Sequence, residues 1–190
     1  MALPTGGSTS MSPSPREVGH YTDKGPHRRR NEDTAWSSLS DGVFIVADGL
    51  GGAAAGDRAS TIATEVVSRA LISDEPPEVL VRTTLPDGLT RSVFQSIAPP
   101  EEELERPEGR LRFGVMVAHC AVLAEGRSTG SVGMATAMVV AWCRDDACHV
   151  AHVGDCRAYA LTGPTIERLT EDHSLSQALA GRTTQIGRAS

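Results

Sequence analysis

The stretch VFIVADGLGGAAAGDRAS, residues 43–60, constrains the fold of this chain more than any other. A short, almost wholly apolar run ends in Asp48 and passes through Gly49, Gly51 and Gly52 into a segment with helical spacing. An apolar run of strand length without polar alternation predicts a central strand buried on both faces. The segment after it carries Ile62, Val66, Val67 and Ala70 at helical intervals among small polar residues, so one face of a helix has to be buried. An acid at the end of a buried strand, followed by backbone free of Cβ atoms, suits a hard divalent ion. Such ions take carboxylate and carbonyl oxygens, and glycine lets a carbonyl approach. The competing reading is a tight turn after a strand, for which Asp-Gly is a common pair. Taken alone, the stretch leaves both open.

Upstream, residues 18–22 read as a strand leading into the loop DKGPHRRRNED, and TAWSSL resumes a strand pattern before a turn at Ser40-Asp41-Gly42. The helix predicted over residues 53–72 stops at DEPPE, because paired prolines cannot continue it. Residues 80–110 show no clear period and include the acidic run Glu101, Glu102, Glu103, which reads as a solvated face or loop. A second helix is predicted over residues 111–125, with Phe113, Val117, Cys120, Ala121 and Ala124 recurring on one face until GRSTGS breaks it. From Met134 the texture becomes β: MATAMVVAWC, CHVAHVG, CRAYAL and TIERL, separated by tight turns, predict an antiparallel meander. Asp172-His173-Ser174 then resembles the N-cap of a last helix through Leu175, Leu179 and Ala180.

With 190 residues the chain suits one domain, and its net charge of -6 argues against a nucleic acid partner. The dense basic cluster His27, Arg28, Arg29, Arg30 is short and adjoins Asn31, Glu32 and Asp33, so it suits a single phosphate better than a polyanion. Residues 1–16 are rich in Ser, Pro, Gly and Thr and carry neither the apolar core of a signal peptide nor an arginine-rich amphipathic pattern. They are expected to form a disordered leader to a domain over residues 17–190. No segment approaches the roughly 20 apolar residues that span a bilayer, and the expected location is cytoplasmic. The four cysteines lie in or beside apolar runs and read as reduced core thiols. Cys143 and Cys148 flank RDDA and could face each other across a hairpin, so a disulfide or a metal pair stays as the alternative.

Arg28 stands three residues before Asn31-Glu32-Asp33, and these acids lie some fifteen residues upstream of Asp48. Two strands of one sheet could bring them together. A guanidinium beside carboxylates offers a phosphate its cation and a metal its ligands, although a solvated charged loop has the same composition. In HVGDCRAY, the Gly154-Asp155 pair reads as a hairpin turn, with Arg157 as a packing or surface residue.

The segments TDKG, RRRNED, VADGLGG with AAAGDRAS, HVGDCRAY and LTEDHSLSQAL occur in this order along the chain. Together they resemble the PPM-type, or type 2C, metal-dependent serine/threonine protein phosphatases in their bacterial form. The resemblance implies an α+β fold, an α-β-β-α four-layer sandwich of two antiparallel sheets flanked by helices. It makes Arg28 the phosphate-binding arginine, Glu32 a metal ligand, and Asp33 a ligand acting through water. Asp48 would bridge two Mg²⁺ or Mn²⁺ ions, the Gly49 carbonyl would add a ligand, and Asp155 would help to hold a third ion. The implied reaction is hydrolysis of phosphoserine or phosphothreonine in a protein substrate by a metal-activated water, with Arg28 and Asp48 as the catalytic residues.

Three departures accompany the resemblance. Leu50 stands where many eukaryotic members carry histidine and bacterial members often carry an apolar residue. GMATA replaces two small positions with Ala135 and Ala137. The family carries two further aspartates, in an Asp-Gly and an Asp-Asn motif, whereas Asp172 is the last acid here. An incomplete domain with its C-terminal strands missing is therefore expected. The alternatives are a non-catalytic phosphoprotein-binding or regulatory module and a non-functional fragment. Oligomeric state is open.

Overall fold

The computed structural model describes residues 17–51, 55–86, 95–144, 146–173 and 187–189. In chain order the elements are β1 (Asp33–Ser38), β2 (Val43–Leu50), α1 (Ala55–Ile72), α2 (Pro77–Thr84), α3 (Glu101–Leu104), α4 (Pro107–Thr129), β3 (Ala135–Arg144), β4 (Ala147–Val153), β5 (Tyr159–Thr162), β6 (Thr165–Arg168) and β7 (Gly187–Ala189). The strands form an antiparallel sheet in the order β1-β2-β3-β4-β7 and a separate ribbon of β5 and β6. The α+β class with two antiparallel sheets is thus what the chain adopts. The meander holds as consecutive hairpins, divided between the two sheets.

The central position of β2 agrees with the apolar run, but its burial does not. Val43, Ile45, Ala47 and Gly49 are buried, while Phe44, Val46, Asp48 and Leu50 alternate with them at partial or full exposure. Val46 is 47% and Leu50 55% exposed. α1 packs on the first of these faces and α4 continues the layer over β3 and β4, so among the described residues the opposite face of β1 and β2 stays open. Beside β4 that second face is covered, because the chain returns there and the Glu171 carbonyl lies 2.7 Å from the His152 ring nitrogen Nε2. An apolar run can therefore mark a strand with one buried face and one partly covered face.

The two long helices follow their periodicity. In α1, Ala59, Ile62, Ala63, Val66, Val67, Ala70 and Leu71 are buried, and in α4, Leu111, Phe113, Val117, Ala121 and Val122 meet them. Burying side chains such as Ile45 and Val67 contributes about 1.5–3 kcal/mol each. The helices approach closely where a Cβ on Gly114 would stand 3.0 Å from the Ala70 Cβ. The break expected at GRSTGS falls later: α4 runs through Thr129 and ends at Gly130, whose φ of 69° supplies the left-handed cap. Pro77 does double duty after the end of α1, opening α2 at a position where a missing N–H does no harm.

Residues 18–22 are not a strand. They are exposed, Tyr21 at 86%, and form no ladder. Their polar groups are used locally, as in the Asn31 side-chain amide donating to Thr22 Oγ1 at 2.7 Å. The leader at residues 1–16 and the last helix expected through Leu175, Leu179 and Ala180 lie outside the described residues. Among the described residues no helix is long and apolar enough to cross a membrane.

A hydroxyl joins α1 to the β1 edge. Ser60 is fully buried, donates to the Glu32 carbonyl at 2.7 Å and lies 2.9 Å from Thr34 Oγ1. Ser60→Ala leaves that carbonyl with the Gly49 N–H as its remaining donor and takes a partner from the Thr34 hydroxyl, and the expected loss is about 1–3 kcal/mol. At about 2–4 °C per kcal/mol for a domain of this size, thermal unfolding should begin several degrees lower. An unchanged transition would show that the hydroxyl contributes nothing.

Candidate functional site

The register of β1 against β2 pairs Asp33 with Asp48. Register partners share a face, so both carboxylates rise side by side from the open face at one end of the sheet. Asp48 and Gly49 are strand residues and not a turn. Gly49 donates its N–H to the Glu32 carbonyl at 3.1 Å, and Thr136 on β3 donates its hydroxyl to the Asp48 carbonyl at 2.9 Å. The backbone carrying Asp48 is thus held from both sides, and the chain bends after the strand, at Gly51, where φ is 148°.

The carboxylates sit uncomfortably together. Among the described residues, Oδ1 of Asp33 and Oδ1 of Asp48 are both enclosed without a hydrogen-bond partner. Burial, and after it the neighbouring Asp33, pushes Asp48 above the usual carboxylate range, while Arg28 acts in the opposite direction and Asp155 adds a smaller upward push. The Arg28 guanidinium stands 3.8 Å from Asp48 Oδ1 and 3.9 Å from Glu32 Oε2. These are ion-pair distances, too long for direct hydrogen bonds. Arg28 is half-exposed and therefore free to turn toward a ligand, whereas Glu32 is largely covered.

Glycines bring the backbone of Gly49 against the first turn of α1. A Cβ on Gly56 would lie 2.9 Å from the Gly49 carbonyl oxygen and 3.0 Å from the Glu32 carboxyl carbon. The Glu32 carboxylate and the Gly49 carbonyl therefore share the small space that Gly56 leaves. On the other side of Asp48, Ala137 is its register partner on β3. A Cβ on Gly154 would come within 2.6 Å of the Ala137 Cβ, so this corner accepts only small residues. The φ of 86° at Gly154 turns the chain after β4 and delivers Asp155 to the same end. Leu50 projects from the same open face as Asp48 and is exposed.

Arg28, Glu32, Asp33, Asp48, Gly49 and Asp155 thus gather at one end of the sheet. Among the described residues no group of three or more His, Cys, Asp and Glu side chains is arranged to enclose a metal ion. The residues nevertheless fit a hard cation in part. Two enclosed carboxylate oxygens lack a hydrogen-bond donor, and a cation between them would add to the distant charge of Arg28.

Three features here escaped the reading of the residues. Cys156 lies beside Asp48: burial pushes its thiol up to about 11, and a contact with the Asp48 backbone partly offsets that. His152 stacks on His173 with ring centroids 4.4 Å apart. Arg157 donates to both carboxylate oxygens of Asp172, at 3.0 and 2.7 Å, and Arg168 reaches the same carboxylate. Arg157 is therefore no ordinary surface residue: it ties the turn bearing Asp155 to the Asp172-His173 segment. No spacing rule links residues so far apart, although a bidentate fork is the strongest use of a half-exposed arginine.

Residues 27–189 match the protein phosphatase 2C family. The chain is 30% identical over 176 residues to the serine/threonine phosphatase stp of Listeria monocytogenes, and the match covers 88% of this chain and 58% of that protein. The corresponding stp of Listeria welshimeri gives the same figures. The chain therefore spans less than two thirds of the length of the curated relatives it matches. Its fold is similar to that of the Mycobacterium tuberculosis serine/threonine phosphatase PstP/Ppp, with a TM-score of 0.61 at 22% identity over 86% of this chain and 58% of that one. It is equally similar to PppA of Pseudomonas aeruginosa, with a TM-score of 0.61 at 24% identity over 89% and 68%. The sheet order, the paired acids of β1 and β2 and a match over most of the sequence agree: this chain belongs to the protein phosphatase 2C family.

Proposed function

We propose that this protein is a metal-dependent serine/threonine protein phosphatase acting on phosphoserine and phosphothreonine in protein substrates. The observation that carries the proposal is the pair of enclosed oxygens on Asp33 and Asp48 that lack a hydrogen-bond donor among the described residues, beside the half-exposed guanidinium of Arg28. Asp48, Asp33 and Glu32, with the Gly49 carbonyl, would hold Mg²⁺ or Mn²⁺, and Asp155 would serve a further ion. Bound there, the ions supply the Lewis acidity that activates water toward phosphorus. Arg28 offers a planar fork to the phosphoryl oxygens and holds the charge that develops as the ester bond breaks. Thr136 keeps the Asp48 backbone in place. The relatives are named phosphatases, which favours turnover over a binding-only module, and a metal complex is known for a relative of this fold, the catalytic domain of PstP with two manganese ions. A cytoplasmic location, and a domain over residues 17–190 behind a leader at 1–16, belong to the same proposal.

The test is release of phosphate from a phosphothreonine peptide across a Mn²⁺ titration. Release should depend on Mn²⁺ and fall about 100-fold or more in Arg28→Ala. Thermal stability should hold in that variant, because the ion pairs of the half-exposed Arg28 with Glu32 and Asp48 are long, at 3.9 and 3.8 Å, and contribute little. Absence of Mn²⁺-dependent release in the unaltered protein would reject the proposal.

A further inference from the structure

Cys143 and Cys148 are register partners in the β3-β4 hairpin, and both are free, partly buried thiols. The N–H of Cys143 donates at 2.8 Å to the Gly42 carbonyl, on the side of β3 away from β4. A residue of an antiparallel pair that turns its N–H away from its partner strand stands in a non-hydrogen-bonded pair, the closer kind, with Cα atoms about 4.5 Å apart. Disulfides accept Cα separations of about 4.4–6.8 Å. Register partners also share a face, so the two sulfurs leave the sheet in the same direction. Burial, and after it the neighbouring Cys143, pushes the Cys148 thiol up to about 12. The other two cysteines differ in placement: Cys120 lies on α4 and Cys156 beside Asp48.

We propose that Cys143 and Cys148 form an oxidation site that hydrogen peroxide converts to an intramolecular disulfide across the hairpin. The Cys143 thiolate attacks one peroxide oxygen, the O–O bond breaks, and the departing hydroxide takes up a proton to become water. Cys143 is then a sulfenic acid. The Cys148 sulfur attacks the Cys143 sulfur, the S–O bond breaks, and a second water carries away the Cys148 proton. Two electrons pass from the thiols to the peroxide, which is reduced to two waters. The two thiols can exchange these roles without changing the products. The bond closes only a short loop, so it stabilises the chain modestly by entropy. It lies toward the opposite end of β3 from Ala137, the neighbour of Asp48, so the site is separate from the proposed phosphatase centre.

The test exposes the purified protein to hydrogen peroxide, removes the oxidant, counts thiols in denaturant and maps linkages after trypsin, which cuts at Arg144 between the two cysteines. The four thiols of the chain should fall to two, with a linked peptide pair joining Cys143 to Cys148 that a dithiol reductant releases. Cys143→Ser and Cys148→Ser should each abolish the linked pair. The idea is overturned if the unaltered protein keeps all its thiols. It is equally overturned if the linkage runs between chains or through Cys120 or Cys156. The mapping of the unaltered protein decides the matter even where a serine variant folds poorly.

Discussion

Replacing Gly49 with alanine is expected to destabilise the fold by about 3 kcal/mol or more, at the upper end of what overpacking does. The added Cβ would lie 2.0 Å from the Gly56 carbonyl oxygen and 2.7 Å from the Glu32 carbonyl oxygen. Both neighbours are backbone, so no side chain can swing aside. Moving them would stretch the Gly49 N–H bond to Glu32 at 3.1 Å and the Ser60 bond to the same carbonyl at 2.7 Å. The midpoint of thermal unfolding should drop by about 6–12 °C, at about 2–4 °C per kcal/mol. Gly19→Ala is the control, because nothing lies within 4 Å of a Cβ there. A Gly49→Ala protein as stable as that control would mean that β2 and α1 do not meet as described.

Asp48→Asn should separate stability from catalysis. Burial and Asp33 hold the folded-state pKa of Asp48 above its ordinary value of 3.8. A carboxyl raised in this way favours the folded state while protonated. That contribution is full below the ordinary value and is lost as pH rises through the folded one. At neutral pH, in chelator, the ionised Asp48 therefore opposes folding, and an amide that can donate to Asp33 removes the conflict. The midpoint of unfolding in chelator should stay level or rise. Mn²⁺-dependent phosphate release should fall by about 10²–10³-fold, the size of effect seen when a group stabilising transition-state charge is removed. A lower midpoint with full activity would make Asp48 a structural residue and end the catalytic reading.

Much of the secondary structure was legible because its causes are local. Ile62, Val66, Val67 and Ala70 have the period of a helix whatever surrounds them, and Pro76 and Pro77 end one helix and begin another by their rings alone. The same locality misled at two places. The residues GRST read as a break, yet α4 continues through them, because its packing on the sheet outweighs the preference of one glycine at its edge. Residues 18–22 have strand composition, but a strand needs a ladder partner and they have none.

The candidate site divides along similar lines. Arg28, Glu32, Asp33, Asp48 and Asp155 were visible as residue types in an ordered set of segments. That Asp33 and Asp48 meet depends on the β1-β2 register, which follows from the whole length of both strands and the turn at Gly42 with its φ of 67°. The part of Cys156, and the tie from Arg157 to Asp172, could not be read at all: each is a contact between segments that no periodicity connects.

By itself, then, the sequence determined the two long helices, the central strand and the order of the chemistry-bearing segments. Composition and spacing along the chain act through short-range sterics and solvation, so these properties travel with the residues. Only the tertiary structure decided which face of β2 the helices cover, that the Asp48 and Asp33 oxygens are enclosed without donors, and that Cys143 faces Cys148 in a close pair. Those are matters of register and packing, set by contacts between residues remote in sequence, and no single segment carries the information that chooses among them.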